Sequence, residues 1–293
     1  MAASSKEAGS GPPEYAVDDP YEAGAAGLVY RHALSPCRDT GVVDRQEQIV
    51  VTDYDVHAMW LCRTVDCYYV ALQESAEYLA GIGVPRENLR VTGIPIDPVF
   101  EIPVTRSEAR EALGLSSDPR VLLISAGGYG IGPVEQLVKD LLDLKRPWQI
   151  VAIAGKAEKL KSRVEQLSKA AGQLPGGGDR LIVLGFTKKM DQYMAAADLL
   201  IGKSGGLTTS EALARRLPLV LIEPIPGQEE RNADHLLEAG VAIRCNNLPA
   251  AAWKIAALLD DPNRLQAMRA AATATARPGA ARAIVEDALG LLN

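Results

Sequence analysis

The chain has 293 residues, 47% of them hydrophobic but only 5% aromatic, and a formal net charge of −6. That length supplies about two domains or one large one, and a core of Ala, Val, Ile and Leu suits layered α/β structure. The acidic balance argues against a nucleic-acid partner, which selects for basic surfaces. No apolar run approaches the length of a membrane span, and the first residues lack the basic-then-apolar order of a signal peptide. Cys37, Cys62, Cys67 and Cys245 are scattered without a CxxC pair, as expected of reduced thiols in the cytoplasm.

Residues 1–27 are rich in Gly, Ala, Ser, Pro and acidic side chains and are expected to be a disordered tail. The stretch 28–46 carries too weak a pattern to assign. Buried strands are predicted at 48–52, 68–71 and 88–92, with a helix over 74–81. The prolines of Gly93-Ile94-Pro95-Ile96-Asp97-Pro98 fix turns, and a border follows near Pro103. A short helix covers 106–113. Strands then recur at 120–125, 149–154, 180–184, 199–202 and 218–222, with a weaker one near 241–243. Helices alternate with them at about 133–144, 156–171, 188–196, 207–216 and 231–239, and Ala-rich helices fill the stretch from Pro249 to Leu292. Unalternating apolar runs separated by helix-length segments predict a parallel sheet covered on both faces.

In such a sheet ligands bind beyond the carboxyl ends of the strands. Four segments fall there: the glycine loop Ala126 to Pro133 with Gly127, Gly128, Gly130 and Gly132; Gly185-Phe186-Thr187; Ser204-Gly205-Gly206; and Glu223-Pro224-Ile225-Pro226-Gly227-Gln228-Glu229-Glu230-Arg231-Asn232. Leu199 to Leu213 reads as strand, tight turn and helix, the arrangement that offers free amides to a phosphate. Glu211 then lies within reach of a ribose. The same stretch also fits a plain βα turn with a capping box from Thr208 to Glu211. The glycine loop does not keep the spacing of a dinucleotide fingerprint and no acidic residue closes the next strand, so NAD is not expected. Gln228, Glu229 and Asn232 suit the directed hydrogen bonds of a sugar, or simply favour a helix N-terminus.

Asp53, Asp55 and His57 follow the first strand, and offer acid–base groups, metal ligands or ordinary loop polarity. Trp60 is a packing residue or the wall of a site. The helix carrying Lys156, Lys159, Lys161, Arg163 and Lys169 reads as a solvated face. His32 and His235 have no evident partner and read as surface or cap residues.

Taken together, Leu184-Gly185-Phe186, Met190-Asp191 through Asp198, Lys203 through Ala212, and Pro224-Ile225-Pro226-Gly227-Gln228-Glu229-Glu230 with Asn232 resemble the monogalactosyldiacylglycerol synthase and processive diacylglycerol glucosyltransferase family, related to the lipid-II-forming N-acetylglucosaminyltransferase. Val51-Thr52-Asp53 through His57 and Trp60, and Val91 through Ile96, are similar to its first domain. The resemblance implies an α/β fold of GT-B type: a Rossmann-like, doubly wound parallel sheet at 104–275, a partial Rossmann-like acceptor-side domain at 28–103 before it, and a C-terminal helix at 276–293. It implies inverting, metal-independent transfer of a hexose from UDP-glucose, UDP-galactose or UDP-GlcNAc to a lipid such as diacylglycerol. The setting would be the inner face of the cytoplasmic membrane, with the UDP-sugar as substrate and no cofactor.

On this chain the resemblance puts Gly127, Gly128 and Gly130 near the diphosphate and sugar, and the backbone of Phe186 and Thr187 against the uracil. Ser204, Gly205, Gly206 and Thr208 would hold the phosphates, Glu211 the ribose, and Gln228, Glu229 and Asn232 the sugar. His57 and Asp53 remain as base candidates. Two departures stand out. Ser204 replaces the family's usual proline and offers a hydroxyl to the phosphate. Nothing in residues 1–47 resembles the family's glycine-rich, His-containing opening loop, which implies a truncated product or a second chain supplying the missing part. The corresponding alternatives are a UDP-sugar-binding subunit and an enzyme of the UDP-GlcNAc 2-epimerase type.

Overall fold

Short runs of β-branched and leucine residues place this chain in two separate parallel sheets. A computed structural model describes residues 47–62, 65–127 and 132–290. The expected tail, the unassigned stretch after it, His32, Cys37, Gly128 and Gly130 lie outside those residues. In the first unit β1 (Gln48–Val50), β2 (Cys67–Val70) and β3 (Leu89–Val91) pair in parallel in that order, with helix α1 (Gln73–Gly81) following β2. Ile49, Tyr68, Val70 and Leu79 form its core, and Trp60 packs against them rather than walling a site.

The second unit alternates as its sequence pattern requires: α2 (Arg106–Leu113), β4 (Arg120–Ser125), α3 (Val134–Asp143), β5 (Trp148–Ile153), α4 (Glu158–Ala171), β6 (Leu181–Leu184), α5 (Met190–Ala196), β7 (Leu199–Gly202), α6 (Gly206–Ala214), β8 (Leu219–Ile222), α7 (Gln228–Glu238) and β9 (Ala242–Cys245). Helices α8 (Leu248–Leu259), α9 (Pro262–Thr275) and α10 (Ala280–Ala288) follow. The six strands are all parallel, in the order β6-β5-β4-β7-β8-β9. Alternation along β4 explains the two layers of helix. Leu122 and Ile124 join Leu137, Leu141 and Leu258 of α3 and α8 on one face. Val121 and Leu123 join Leu213 and Leu236 of α6 and α7 on the other.

The two units share packing. Tyr54, Ile94, Ile96 and Phe100 enter the second of those layers. Arg215, at the end of α6, donates to the carbonyls of Ile102 and Val99 and lies 5.4 Å over the Phe100 ring. The chain then returns: Asp287 of α10 accepts from the Tyr69 hydroxyl at 2.8 Å and pairs with Arg90 at 3.3 Å. Gly93, with φ +94°, lets this segment in, since a β-carbon there would strike Arg277. Among the described residues no helix is long and apolar enough to cross a membrane. Cys67 and Cys245 are buried free thiols.

Candidate functional site

The chain winds outward from β4 to β5 and β6, then crosses back to β7 and winds the other way. Loops leaving β4 and β7 therefore diverge, and a crevice opens between them at the carboxyl edge of the sheet. Ser125 and Gly127 line it from β4, and Gly202, Lys203 and Gly205 from β7. Thr208 of α6 and Glu229 of α7 close it. Gly202 permits this approach, because a β-carbon there would stand 3.0 Å from the Ser125 carbonyl.

Helix α6 starts one turn nearer the crevice than a capping box would allow. Its N-cap is Gly205, with φ −62° and ψ 134° and no side-chain cap. Thr208 is the third helical residue, so the expected Thr208–Glu211 box does not form. The reason is local: the glycine pair lets the helix begin at Gly206, and Thr209 turns its hydroxyl back to the Gly205 carbonyl at 2.9 Å. The first-turn amides are left without a side-chain partner and carry the positive end of the helix dipole. Lys203 stands in the same crevice. It was not singled out in the sequence, although it sits inside the stretch read as phosphate-binding.

The two glycines do different things. A β-carbon on Gly205 would meet nothing within 4 Å, so this residue borders open space. Gly206 is buried, and the Thr52 carbonyl of the first unit fills the position its β-carbon would take. Gly205 borders the crevice, whereas Gly206 seats the first unit.

Gly227, with φ +97°, starts α7 in a conformation that favours glycine. The preceding Glu223 holds φ +40°, a strained value for a residue with a side chain. The Glu229 carboxylate accepts from the Ile225 amide at 2.7 Å, and Gln228 beside it is half-buried. Two expectations need correction here. The fully buried Ser204 donates its hydroxyl to the Glu229 carbonyl, so it ties the β7 loop to α7 instead of reaching a phosphate. Asn232 is also fully buried, and both ends of its amide bind the first unit. It donates to Asp53 Oδ1 at 2.7 Å and accepts from the Tyr54 amide at 2.8 Å. One turn into α7, its side chain points at the first unit.

The first unit thus meets α6 and α7 through Thr52 to Asp55. Tyr54 shares a hydrogen bond with Ser210 at 3.0 Å, and Asp55 pairs with Arg231 at 2.7 Å. His235 is no surface residue. Its ring stacks on Tyr54 at 4.9 Å, and burial lowers its pKa. Burial raises the Asp53 carboxyl above its usual pKa, the Asn232 bond offsets part of this, and nearby Asp55 adds to it. His57 is half-buried, and its carbonyl accepts from Trp60 in the turn Ala58–Trp60. On α6, burial and the charge of Asp97 push the Glu211 carboxyl up to about 7.

Phe186 is 66% exposed beyond β6, and the Thr187 hydroxyl accepts from Lys189 at 3.1 Å. Between β6 and β7 lie three inter-strand steps, about 14 Å. The order along the edge is Phe186, Gly127, Lys203 and Gln228, a row long enough for an extended nucleotide. Among the described residues no three His, Cys, Asp or Glu side chains gather as they would around a metal.

Residues 106–275 match the family described as glycosyl transferases group 1, and residues 39–96 match monogalactosyldiacylglycerol (MGDG) synthase. A processive diacylglycerol beta-glucosyltransferase of Staphylococcus saprophyticus is 34% identical over 245 residues, which cover 83% of this chain and 61% of that relative. The crystal structure of Acinetobacter baumannii MurG aligns with TM-score 0.59 and 20% identity over 84% of this chain and 67% of the other. UDP-GlcNAc 2-epimerase of Neisseria meningitidis, bound to UDP-GlcNAc, aligns with the same TM-score at 16% identity, over 78% and 61%. Two differently named proteins on one fold establish the GT-B architecture and leave the chemistry to the residues.

Proposed function

This chain belongs to the glycosyl transferases group 1 family, with a first unit of the MGDG synthase type, and we propose that it moves a hexose from a UDP-sugar to a lipid hydroxyl such as that of diacylglycerol. The relative's name makes UDP-glucose the first donor to try, ahead of UDP-galactose and UDP-GlcNAc. One observation carries the reading: the uncapped start of α6 and the Lys203 side chain share the crevice where the sheet's winding reverses. A diphosphate needs that combination of amides and a cation.

The uridine would run back toward Phe186 and Thr187, with its ribose on Glu211. The hexose would lie toward Gln228 and Glu229. The acceptor oxygen bonds to the anomeric carbon as the carbon–phosphate oxygen bond breaks, and the electron pair leaves on UDP. Single displacement inverts that carbon. The acceptor's proton passes to a first-unit base, Asp53 or His57. The α6 amides and Lys203 take up the charge developing on UDP, without a metal or cofactor. With such an acceptor the enzyme would work at a membrane surface, and the inner face of the cytoplasmic membrane, where UDP-sugars are at hand, is the location we propose.

The chain spans 61% of the relative's length, which motivates a second reading: donor binding here, with turnover supplied through a partner chain. Calorimetric titration with UDP and UDP-glucose tests what both share, and an absence of binding refutes both. Glucolipid formation by the purified chain with diacylglycerol then separates them. Epimer formation without acceptor would select the epimerase type instead.

A further inference from the structure

We propose that Arg106, Arg120 and Arg269 form a second anion site, at the amino edge of the large sheet, for a phosphate group carried by a soluble ion or by a lipid headgroup. The site lies at the other end of β4 from the crevice, roughly 17 Å along the strand from Arg120 to Ser125, and does not depend on the transfer reading above. Three elements bring the arginines together. Arg106 and Arg110 stand one turn apart on the same face of α2, Arg120 opens β4, and Arg269 comes from α9. All four converge on Asp198, which is 1% exposed just before β7.

The two carboxylate oxygens are used unequally. Oδ2 accepts from the Val121 amide and from Arg110, whose remaining N–H groups reach the carbonyls of Ala196 at 3.0 Å and Ser117 at 2.6 Å. Arg110 is therefore satisfied. Arg106, Arg120 and Arg269 crowd Oδ1 at 3.2, 3.2 and 3.3 Å, and among the described residues no other carboxylate pairs with any of them. Four guanidiniums on one carboxylate leave three positive charges unmatched. Burial holds Arg110 and Arg269 below the usual arginine pKa, and the charges of Arg106 and Arg120 add to this. Arg106 makes no hydrogen bond to a described residue, and its Nε and that of Arg269 are buried without a partner. Buried donors of this kind call for an acceptor that the chain does not supply. The side chains of Arg106 and Arg120 are each 39% exposed, so an anion can reach them from solvent. Phosphate fits best, because it offers paired oxygens to each planar fork and more charge than a carboxylate. The Thr105–Glu108 capping box already closes the start of α2, so side chains and not helix amides make the site.

The test compares the full chain as wild type, as Arg106→Gln/Arg120→Gln and as Lys203→Met. Calorimetry with inorganic phosphate, in chloride at constant ionic strength, should show binding by the wild type that weakens about tenfold or more in the double variant. Lys203→Met, altered in the distant crevice, should keep that binding within about twofold. Saturating phosphate should raise the melting temperature of the wild type by several degrees and leave that of the double variant unmoved. If the double variant does not fold, the wild type decides: phosphate should slow phenylglyoxal labelling of Arg106 and Arg120 several-fold, read by mass spectrometry, and leave the exposed Arg86 and Arg163 unaffected. Phosphatidylcholine vesicles with and without phosphatidylglycerol identify the carrier. Retention on the anionic vesicles that phosphate reverses and the double variant lacks assigns a headgroup. Phosphate binding without such retention assigns a soluble ion. The site is refuted if phosphate does not bind, if binding survives in the double variant, or if it is lost in Lys203→Met instead. It is equally refuted if chloride alone raises the melting temperature as much, since that is general screening, or if phosphate leaves Arg106 and Arg120 labelling unchanged.

Discussion

The carbonyl oxygen of Thr52 occupies the space that a β-carbon on Gly206 would need. The first unit and the start of α6 therefore touch backbone to backbone, and the glycine pair 205–206 is divided between two tasks. Gly206→Ala must push Thr52 away, and a backbone atom cannot yield as a flexible side chain would. Overpacking of this kind costs about 1–3 kcal/mol, more than the helix-propensity gain of about 1 kcal/mol. Gly205→Ala suffers no such clash, and its φ of −62° suits alanine. Its methyl group would instead enter the crevice. Thermal melts should show a loss of several degrees for Gly206→Ala and little for Gly205→Ala. UDP titration should show at least a tenfold loss for Gly205→Ala.

Lys203 is half-buried in the crevice beside the uncapped first turn of α6. A charge-assisted bond from its ammonium to a diphosphate oxygen is worth about 1.5–3 kcal/mol. Lys203→Met keeps the stem and removes the charge. We expect UDP affinity to fall about 10–100-fold, with uridine affinity almost unchanged and the melting temperature within a degree or two. Equal losses for UDP and uridine would place the lysine away from the phosphates.

The elements themselves were plain in the sequence. Runs such as Val121 to Ile124 and Gln149 to Ile153 have no alternation because both faces of the sheet are covered. The crossing from β6 back to β7 was not legible, since strand order depends on contacts between distant segments. That order puts the loop after β4 beside the loop after β7 and sets β6, which leads to Phe186, about 14 Å from β7. Asn232 and His235 were misread for the same reason: their partners, Asp53 and Tyr54, belong to another unit of the fold. Ser204 read as a phosphate hydroxyl because nothing local shows that the Glu229 carbonyl lies over it. Thr208-x-x-Glu211 has the pattern of a capping box, yet the glycines before it let the helix start earlier.

If Glu211 holds the ribose as proposed, donor binding comes at a cost in stability. Burial, with the Asp97 charge opposite, pushes its carboxyl up to about 7. A folded-state value above the unfolded one gives stability that is fully present below the unfolded value of 4.5 and is lost as pH rises through about 7. The carboxylate at pH 8 therefore burdens the fold by on the order of 3 kcal/mol. Glu211→Gln should melt higher than the wild type at pH 8 and at the same temperature at pH 4. It should also bind UDP about tenfold more weakly, because a carboxylate is the stronger acceptor for ribose hydroxyls. A variant that is destabilised at pH 8 would show that the carboxylate is held by favourable contacts instead.

Asp198, at the opposite edge of the sheet, shows the reverse sign. It precedes β7, is 1% exposed, and accepts from the Val121 amide at 2.9 Å and from Arg110 at 2.8 Å. Arg106, Arg120 and Arg269 reach its other oxygen at 3.2–3.3 Å. Burial alone would raise its carboxyl, but the Val121 amide and the guanidiniums of Arg106, Arg110 and Arg120 reverse this and hold it below the usual value. The stability it contributes is therefore present above the unfolded value of 3.8 and lost as pH falls through the lower folded value. Asp198→Asn strands four guanidiniums, of which that of Arg110 is buried, around a neutral amide. Breaking a buried pair from one side costs about 3–5 kcal/mol. Urea unfolding at pH 7 should show that loss, and the gap from the wild type should shrink steadily below pH 4. A gap independent of pH would mean that Asp198 acts through its hydrogen bond to Val121 and not through its charge.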